Sequence, residues 1–260
     1  MVPGFTTTSF SAHDKTREVF CRGAGPAVIV MAEVPGITPL VAKFASTVAD
    51  AGFAVFMPQL FGTSNRVESR GYVLRVIARV CISREFKVLA ANESSPIVDW
   101  LRALARHAHE QCGGRGVGAV GMCLTGNFAL AMMLNAPIIA PVVSQPALPF
   151  PFNERLRSAL HASPQELAAA HEKIDHQGAR ILGLRFKGDP VCRAARFASL
   201  RKEFGDAFEA IEIEDRFANP KGSQPPHSVL TRHLIDAEGE PTRAALDRTL
   251  TFLRDQLQAP

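Results

Sequence analysis

Cys123 sits in the run Gly121-Met-Cys-Leu-Thr-Gly126, between an apolar stretch, Gly116 to Val120, and a helix-like stretch, Asn127 to Leu134. A strand, a tight glycine-bearing turn and a helix lift the central side chain of the turn clear of the sheet. The helix N-terminus beneath it offers N–H groups that can bind developing negative charge. Such a sulfur is a nucleophile if its thiolate is favoured, because a free thiol titrates near ~8.5. Nucleophilic catalysis then needs an imidazole to move the proton and a carboxylate to orient the imidazole. Asp189, after Arg185-Phe-Lys-Gly188, and His227, in a loop with Pro225 and Pro226, follow Cys123 in the order nucleophile, acid, histidine.

Each candidate has a plainer reading beside it. A free cysteine commonly packs as a small buried hydrophobe. Asp189 lies in Gly-Asp-Pro, a common turn sequence, and Asp215, after the last strand candidate, is the substitute acid. His233 is the rival imidazole, six residues beyond His227; the other histidines lie in or beside helical stretches or far from strand ends. Glu33 directly follows an apolar run and would bear a desolvation cost unless something interacts with it. A turn role and a partnership in the site are both open to it.

The elements that must position these residues alternate along the chain. Val28 to Ala32 reads as a strand, and Thr38-Pro39 as an N-cap with proline at the first helical position. Val41, Phe44, Ala45 and Val48 share a helical face that Gly52 closes, and Phe53 to Met57 is the next strand. Residues 62–71 are polar and loop-like. Ser95-Pro96 opens a helix with Ile97, Leu101, Leu104 and Ala108 inward, ended by Gly113-Gly114. After the Cys123 turn come a strand over Ile138 to Val143, a capping box at Ser163-Pro-Gln-Glu166 and a helix stopped by Gly178. Strands over Ile181–Phe186 and Phe208–Ile213 flank a helix bearing Phe197, Leu200 and Phe204. Leu246, Leu250, Leu253 and Leu257 line a last helix. Continuous apolar strands alternating with helices predict a mostly parallel sheet covered on both faces, in a single domain over 1–260. Functional groups gather beyond the C-terminal ends of such strands, where Glu33, Cys123, Asp189 and His227 fall.

Composition narrows the function classes. The chain has 260 residues, 47% of them apolar, enough for one large buried core. Its net charge of +4 is scattered, with no basic block interleaved with aromatics, so nucleic acid is not an expected partner. No apolar run approaches the roughly 18 residues of a membrane span, and the N-terminus lacks the basic and apolar regions of a signal peptide. Five cysteines (21, 81, 112, 123 and 192) are odd in number, widely spaced and without a C-x-x-C pair. That pattern predicts no disulfide framework and no zinc site, and suits the cytoplasm. The four other than Cys123 read as structural.

Together these residues resemble the dienelactone hydrolase family, from about Ala27 to the last helix. The likeness is densest in Val28-Ile-Val-Met-Ala-Glu-Val-Pro-Gly-Ile37, Gly52-Phe-Ala-Val-Phe-Met-Pro-Gln-Leu60 and Val120-Gly-Met-Cys-Leu-Thr-Gly126. The resemblance implies an α/β-hydrolase fold and ester or lactone hydrolysis with a cysteine nucleophile. It casts Cys123 as nucleophile, Asp189 as acid and His227 as base, with Glu33 as the glutamate that contacts the resting thiol. The backbone N–H groups of Leu124 and Val34 become the oxyanion donors; Pro35 has none to offer. A small ester or lactone is the implied substrate, with no metal and no organic cofactor. The chain departs from the family pattern at Thr125, where glycine is usual two residues after the nucleophile. A threonine there fits if its side chain faces the helix groove. It departs again at Pro226-His227-Ser228-Val229, where glycine usually precedes the histidine. Arg66, Arg70, Arg75 and Arg79 are candidates for binding a substrate carboxylate, with no motif to choose among them. Two other activities stay compatible with the sequence: a thioesterase or acyl-transfer enzyme on the same triad, and a non-catalytic binding protein of the same fold.

Overall fold

The computed structural model describes residues 1–82, 95–148 and 158–258. Among these, eight strands make one sheet: β1 (Thr6–Ala12), β2 (Lys15–Arg22), β3 (Ala27–Met31), β4 (Ala54–Pro58), β5 (Val117–Met122), β6 (Ile138–Ser144), β7 (Ile181–Phe186) and β8 (Phe208–Ile213). Their spatial order is β1-β2-β4-β3-β5-β6-β7-β8. From β4 across to β8 neighbouring strands run parallel, while β2 pairs antiparallel with both β1 and β4. The parallel strands β3, β4, β5, β6 and β7 are buried along their whole length, which is why they read as unbroken apolar runs.

The helices are α1 (Pro39–Asp50), α2 (Arg70–Ile82), α3 (Pro96–Cys112), α4 (Gly126–Ala131), α5 (Pro164–Gln177), α6 (Ala194–Phe204) and α7 (Pro241–Leu257). Side chains alternate across a strand, so Gly118 and Gly121 of β5 open on opposite faces. A Cβ at Gly118 would meet Leu253 of α7, and one at Gly121 would meet the turn leading into α4. Helices therefore cover both faces. The hydroxyl of Thr38 accepts from the N–H of Val41 at 3.3 Å at the start of α1, and Ser163 and Glu166 form the expected capping box at the start of α5. None of the helices among the described residues is long and apolar enough to cross a membrane.

Three elements differ from the sequence expectation. The hairpin β1–β2 has no continuous apolar run: β1 is a Thr/Ser-rich edge strand, largely exposed. Its signal is the two-residue turn at His13 and Asp14, which take φ of 50° and 57°. Helix α2 starts where the polar stretch ends, and among its described side chains Tyr72 and Val76, four residues apart, are buried. The helix after Cys123 is short. A 3₁₀ turn over Cys123–Thr125 leads into α4, which ends at Ala131 rather than continuing to Leu134. Asn135, at φ 53°, then turns the chain toward β6.

One buried ion pair knits the helices on the α4 side. Arg102 of α3 donates to Glu166 of α5 at 2.5 Å and to the Ala131 carbonyl at 2.7 Å, with both charged side chains 5% exposed or less. The second oxygen of Glu166 accepts the Ser163 N–H at 2.7 Å. Arg102 also donates to Asp99 at 2.6 Å, so losing Glu166 leaves the guanidinium partly paired. Glu166→Ala should lower unfolding free energy by about 1–3 kcal/mol in urea titrations.

Candidate active site

The strand-to-helix turn after β5 holds Cys123 at φ 56°, a left-handed conformation unusual for a residue with a side chain. Such strain persists where the surroundings over-determine it. Here a Cβ on Gly121 would lie 2.1 Å from the Thr125 carbonyl oxygen, so only glycine lets the turn close this tightly. The Cys123 carbonyl accepts from the N–H of Ala147 at 3.1 Å. Asn127 donates to the carbonyls of Leu124 and Ala147 at 3.0 and 3.1 Å, and accepts from Arg196 at 2.9 Å. Cys123 itself is half-buried. Leu124 lies in the first turn, where an N–H has no partner within its own helix. Thr125 is buried, and its hydroxyl turns back onto the ends of β3 and β5 instead of toward the helix groove.

Asp189 and His227 meet beyond the same edge of the sheet. Oδ2 of Asp189 lies 2.6 Å from Nδ1 of His227. Its Oδ1 accepts from the N–H groups of Val191 and Cys192 at 2.9 and 3.2 Å. One carboxylate oxygen of Asp189 thus faces the imidazole and the other closes the turn. Arg185 of β7, itself buried, braces the same turn from within by donating to the carbonyls of Cys192 at 2.6 Å and Lys187 at 2.9 Å. Asp215, the substitute acid, instead accepts from the N–H of Gly188 at 2.8 Å.

The imidazole of His227 faces Cys123. Burial pushes its pKa down, but the negative charge of the Cys123 thiolate, hydrogen bonds to Asp189 and Cys123, and the Asp189 charge outweigh that and hold it well above the ordinary histidine value. An ionised carboxylate only accepts, so the Nδ1 proton belongs to the His227–Asp189 bond. Asp189 and Cys123 thus flank the imidazole on its two sides.

His233 is tied into the loop through both ring nitrogens. Its Nδ1 accepts from the N–H groups of His227 at 3.3 Å and Ser228 at 3.1 Å, and its Nε2 bonds to the Ser223 carbonyl at 2.7 Å. This pattern needs the neutral ring, protonated at Nε2. Burial, the largest influence, lowers its pKa accordingly.

Glu33 is buried at the exit of β3, and its carboxylate is answered by polar groups of the histidine loop. Ser228 donates to Oε2 at 2.6 Å and Thr231 to Oε1 at 2.5 Å, while the Gln145 amide lies 3.5 Å from Oε2. Its hydrogen bonds among the described residues go to these three side chains and not to Cys123. Ser228 and Thr231 carry no catalytic signature in the sequence, and the one signal at Gln145 is positional, since it directly follows β6. Its side-chain oxygen accepts from the hydroxyl of Ser144 and the N–H of Val229, the latter at 3.4 Å.

A cleft of about 560 Å³ opens between the start of α2 and the histidine loop, lined by Glu68, Ser69, Val73, Leu74, Lys221, Ser223 and Arg232. Arg66, Arg75 and Arg79 are exposed and do not line it. The side chains of Arg70 and Cys81 lie outside the described residues. The guanidinium of Arg66 sits 4.2 Å over the ring of Tyr72.

The sequence profile of the dienelactone hydrolase family matches residues 18–223, ending ahead of His227. No curated protein matches the chain at a significant level. Among solved structures, a protein of Klebsiella pneumoniae subsp. pneumoniae MGH 78578, whose name proposes it as a dienelactone hydrolase, superposes with a TM-score of 0.63 at 17% identity, over 95% of this chain and 97% of that one. A dienelactone hydrolase-like promiscuous phosphotriesterase from metagenomic libraries gives 0.59 at 17% identity, over 95% and 98%. The α/β hydrolase GrgF of Penicillium sp. sh18 gives 0.57 at 14%, over 98% and 99%. At these identities the structural likeness speaks for the α/β-hydrolase fold, and the profile match speaks for the family. The chain belongs to the dienelactone hydrolase family and is a hydrolase acting on ester bonds.

Proposed function

We propose that the chain hydrolyses small carboxylic esters or lactones by covalent catalysis at Cys123. The observation that carries this reading is the alignment of Cys123, His227 and Asp189: a strained, half-buried cysteine beside an imidazole held at 2.6 Å by a buried carboxylate. The thiolate sulfur attacks the carbonyl carbon, and the C=O π pair moves to oxygen, where the N–H groups of Leu124 and Val34 receive it. Collapse expels the alcohol oxygen, which takes the proton from His227, and leaves a thioester on sulfur. In a lactone that alcohol stays tethered to the acyl group. His227 then draws a proton from water as the water attacks the thioester, and the thiolate leaves with its charge restored.

Asp189 orients the imidazole and stabilises its protonated form. Glu33, tied to Ser228 and Thr231, holds the histidine loop to the exit of β3 while bringing negative charge near the site. No metal or organic cofactor enters these steps. The free thiols at Cys21, Cys112, Cys123 and Cys192 support a cytoplasmic setting.

Cys123→Ala should cut turnover of p-nitrophenyl acetate by about 10³-fold or more while the melting temperature stays near that of wild type. Hydrolysis undiminished in this variant would overturn the assignment. The same substitution removes the largest influence raising the His227 pKa, so NMR titration should find the imidazole titrating lower than in wild type.

His233 supplies a pH dependence of opposite sign. Its folded pKa lies below the ordinary 6.5. The unfolded chain therefore binds the proton more readily, and this contribution to stability is intact above about 6.5 and lost as pH falls through the lowered value. His233→Gln should flatten the decline of the urea midpoint between about pH 7 and 5.

A further inference from the structure

Thr125 stands where the family elbow commonly has glycine, and its hydroxyl has a task that glycine could not perform. Oγ1 accepts from the N–H of Met122 at 2.8 Å and lies 2.9 Å from the Met122 carbonyl, 3.0 Å from that of Met31 and 3.3 Å from that of Ala32. A hydroxyl has one proton to give, so it serves one of these three carbonyls at a time. The site is fully buried, and water cannot replace what the hydroxyl provides.

The two strands it touches are the ones that end in the oxyanion donors. The last ladder pair between β3 and β5 joins Met31 to Gly121. Beyond that pair the chains part: β3 continues through Ala32 and Glu33 to Val34, and β5 through Met122 and Cys123 to Leu124. Thr125 bonds to both chains where the ladder stops. Resting on the oxyanion assignment proposed above, we infer that Thr125 is a positioning residue that fixes the N–H of Val34 relative to that of Leu124, so that both point at one developing oxygen anion.

This role separates two reactions of the same sulfur. Ester hydrolysis passes through an oxyanion and needs both donors in register. Alkylation by iodoacetamide displaces iodide from carbon, forms no oxyanion and needs only a presented, ionised sulfur. Thr125→Val keeps the branched shape and removes the hydroxyl. Its kcat for p-nitrophenyl acetate should fall about 10- to 100-fold with KM little changed. Alkylation of Cys123, read by peptide mass, should stay within about twofold of wild type, the spread of a mutation that leaves the thiolate alone. Thr125→Ser, which restores the hydroxyl, should recover most of kcat. If the valine variant does not fold, as judged by circular dichroism, Thr125→Ala serves the same comparison with less bulk. Unchanged kcat in a folded variant, or hydrolysis and alkylation falling together, would overturn the inference. Full hydrolysis in Cys123→Ala would instead overturn the proposed mechanism, and this inference with it; Cys123 dependence with Thr125 indifference would overturn the inference alone.

Discussion

The left-handed backbone at Cys123 is the constraint on which the other features depend. An L-residue held there costs roughly 1–2 kcal/mol relative to ordinary helical or extended backbone, and several contacts keep the chain from relaxing. Gly121 lets the Thr125 carbonyl approach, the Ala147 N–H takes the Cys123 carbonyl, and the Asn127 amide ties Leu124 to Ala147. Arg196, from α6, anchors Asn127 in turn. The strain is local, while its support is drawn from β5, the exit of β6 and α6.

The remaining polar groups gather by one rule, each emerging where a parallel strand ends. Glu33 leaves β3, Gln145 leaves β6, Asp189 leaves β7, and the histidine loop follows β8. Their side chains differ in chemistry but share a polar network. Asp189 holds His227, Glu33 holds Ser228 and Thr231, and Gln145 reaches both Glu33 and Val229. His233 completes the loop by accepting the N–H groups of His227 and Ser228. A buried carboxylate such as Glu33 is tolerable because two hydroxyls and an amide surround it.

Much of this was legible in the residues alone. The parallel strands announce themselves because burial on both faces demands unbroken apolar runs, and the α/β alternation follows. Cys123 and Asp189 stand out because each sits in a glycine-bearing turn just past a strand end. The choice between Asp189 and Asp215, and between His227 and His233, was a matter of loop position in the sequence. In the fold, hydrogen bonding separates the members of each pair. The polar supports Ser228 and Thr231 were illegible because they are common surface residue types whose meaning comes from facing Glu33 across the sheet edge. Thr125 looked like a steric difficulty because its rotamer, and so its hydrogen bonding, depends on where β3 ends. The N-terminal hairpin stayed hidden since an exposed edge strand has no apolar pattern to show.

The single tryptophan gives that hairpin a spectroscopic voice. Trp100 is buried on α3, where its indole N–H donates to the carbonyl of Lys15 at 3.0 Å and Phe10 meets its ring edge-on with centroids 5.5 Å apart. Both partners belong to β1 or β2, at the far edge of the sheet from β7 and the Asp189 turn. Intrinsic fluorescence therefore monitors the docking of the first two strands onto α3, and an emission change during denaturation dates the peeling of that edge and not the loosening of the Asp189 turn.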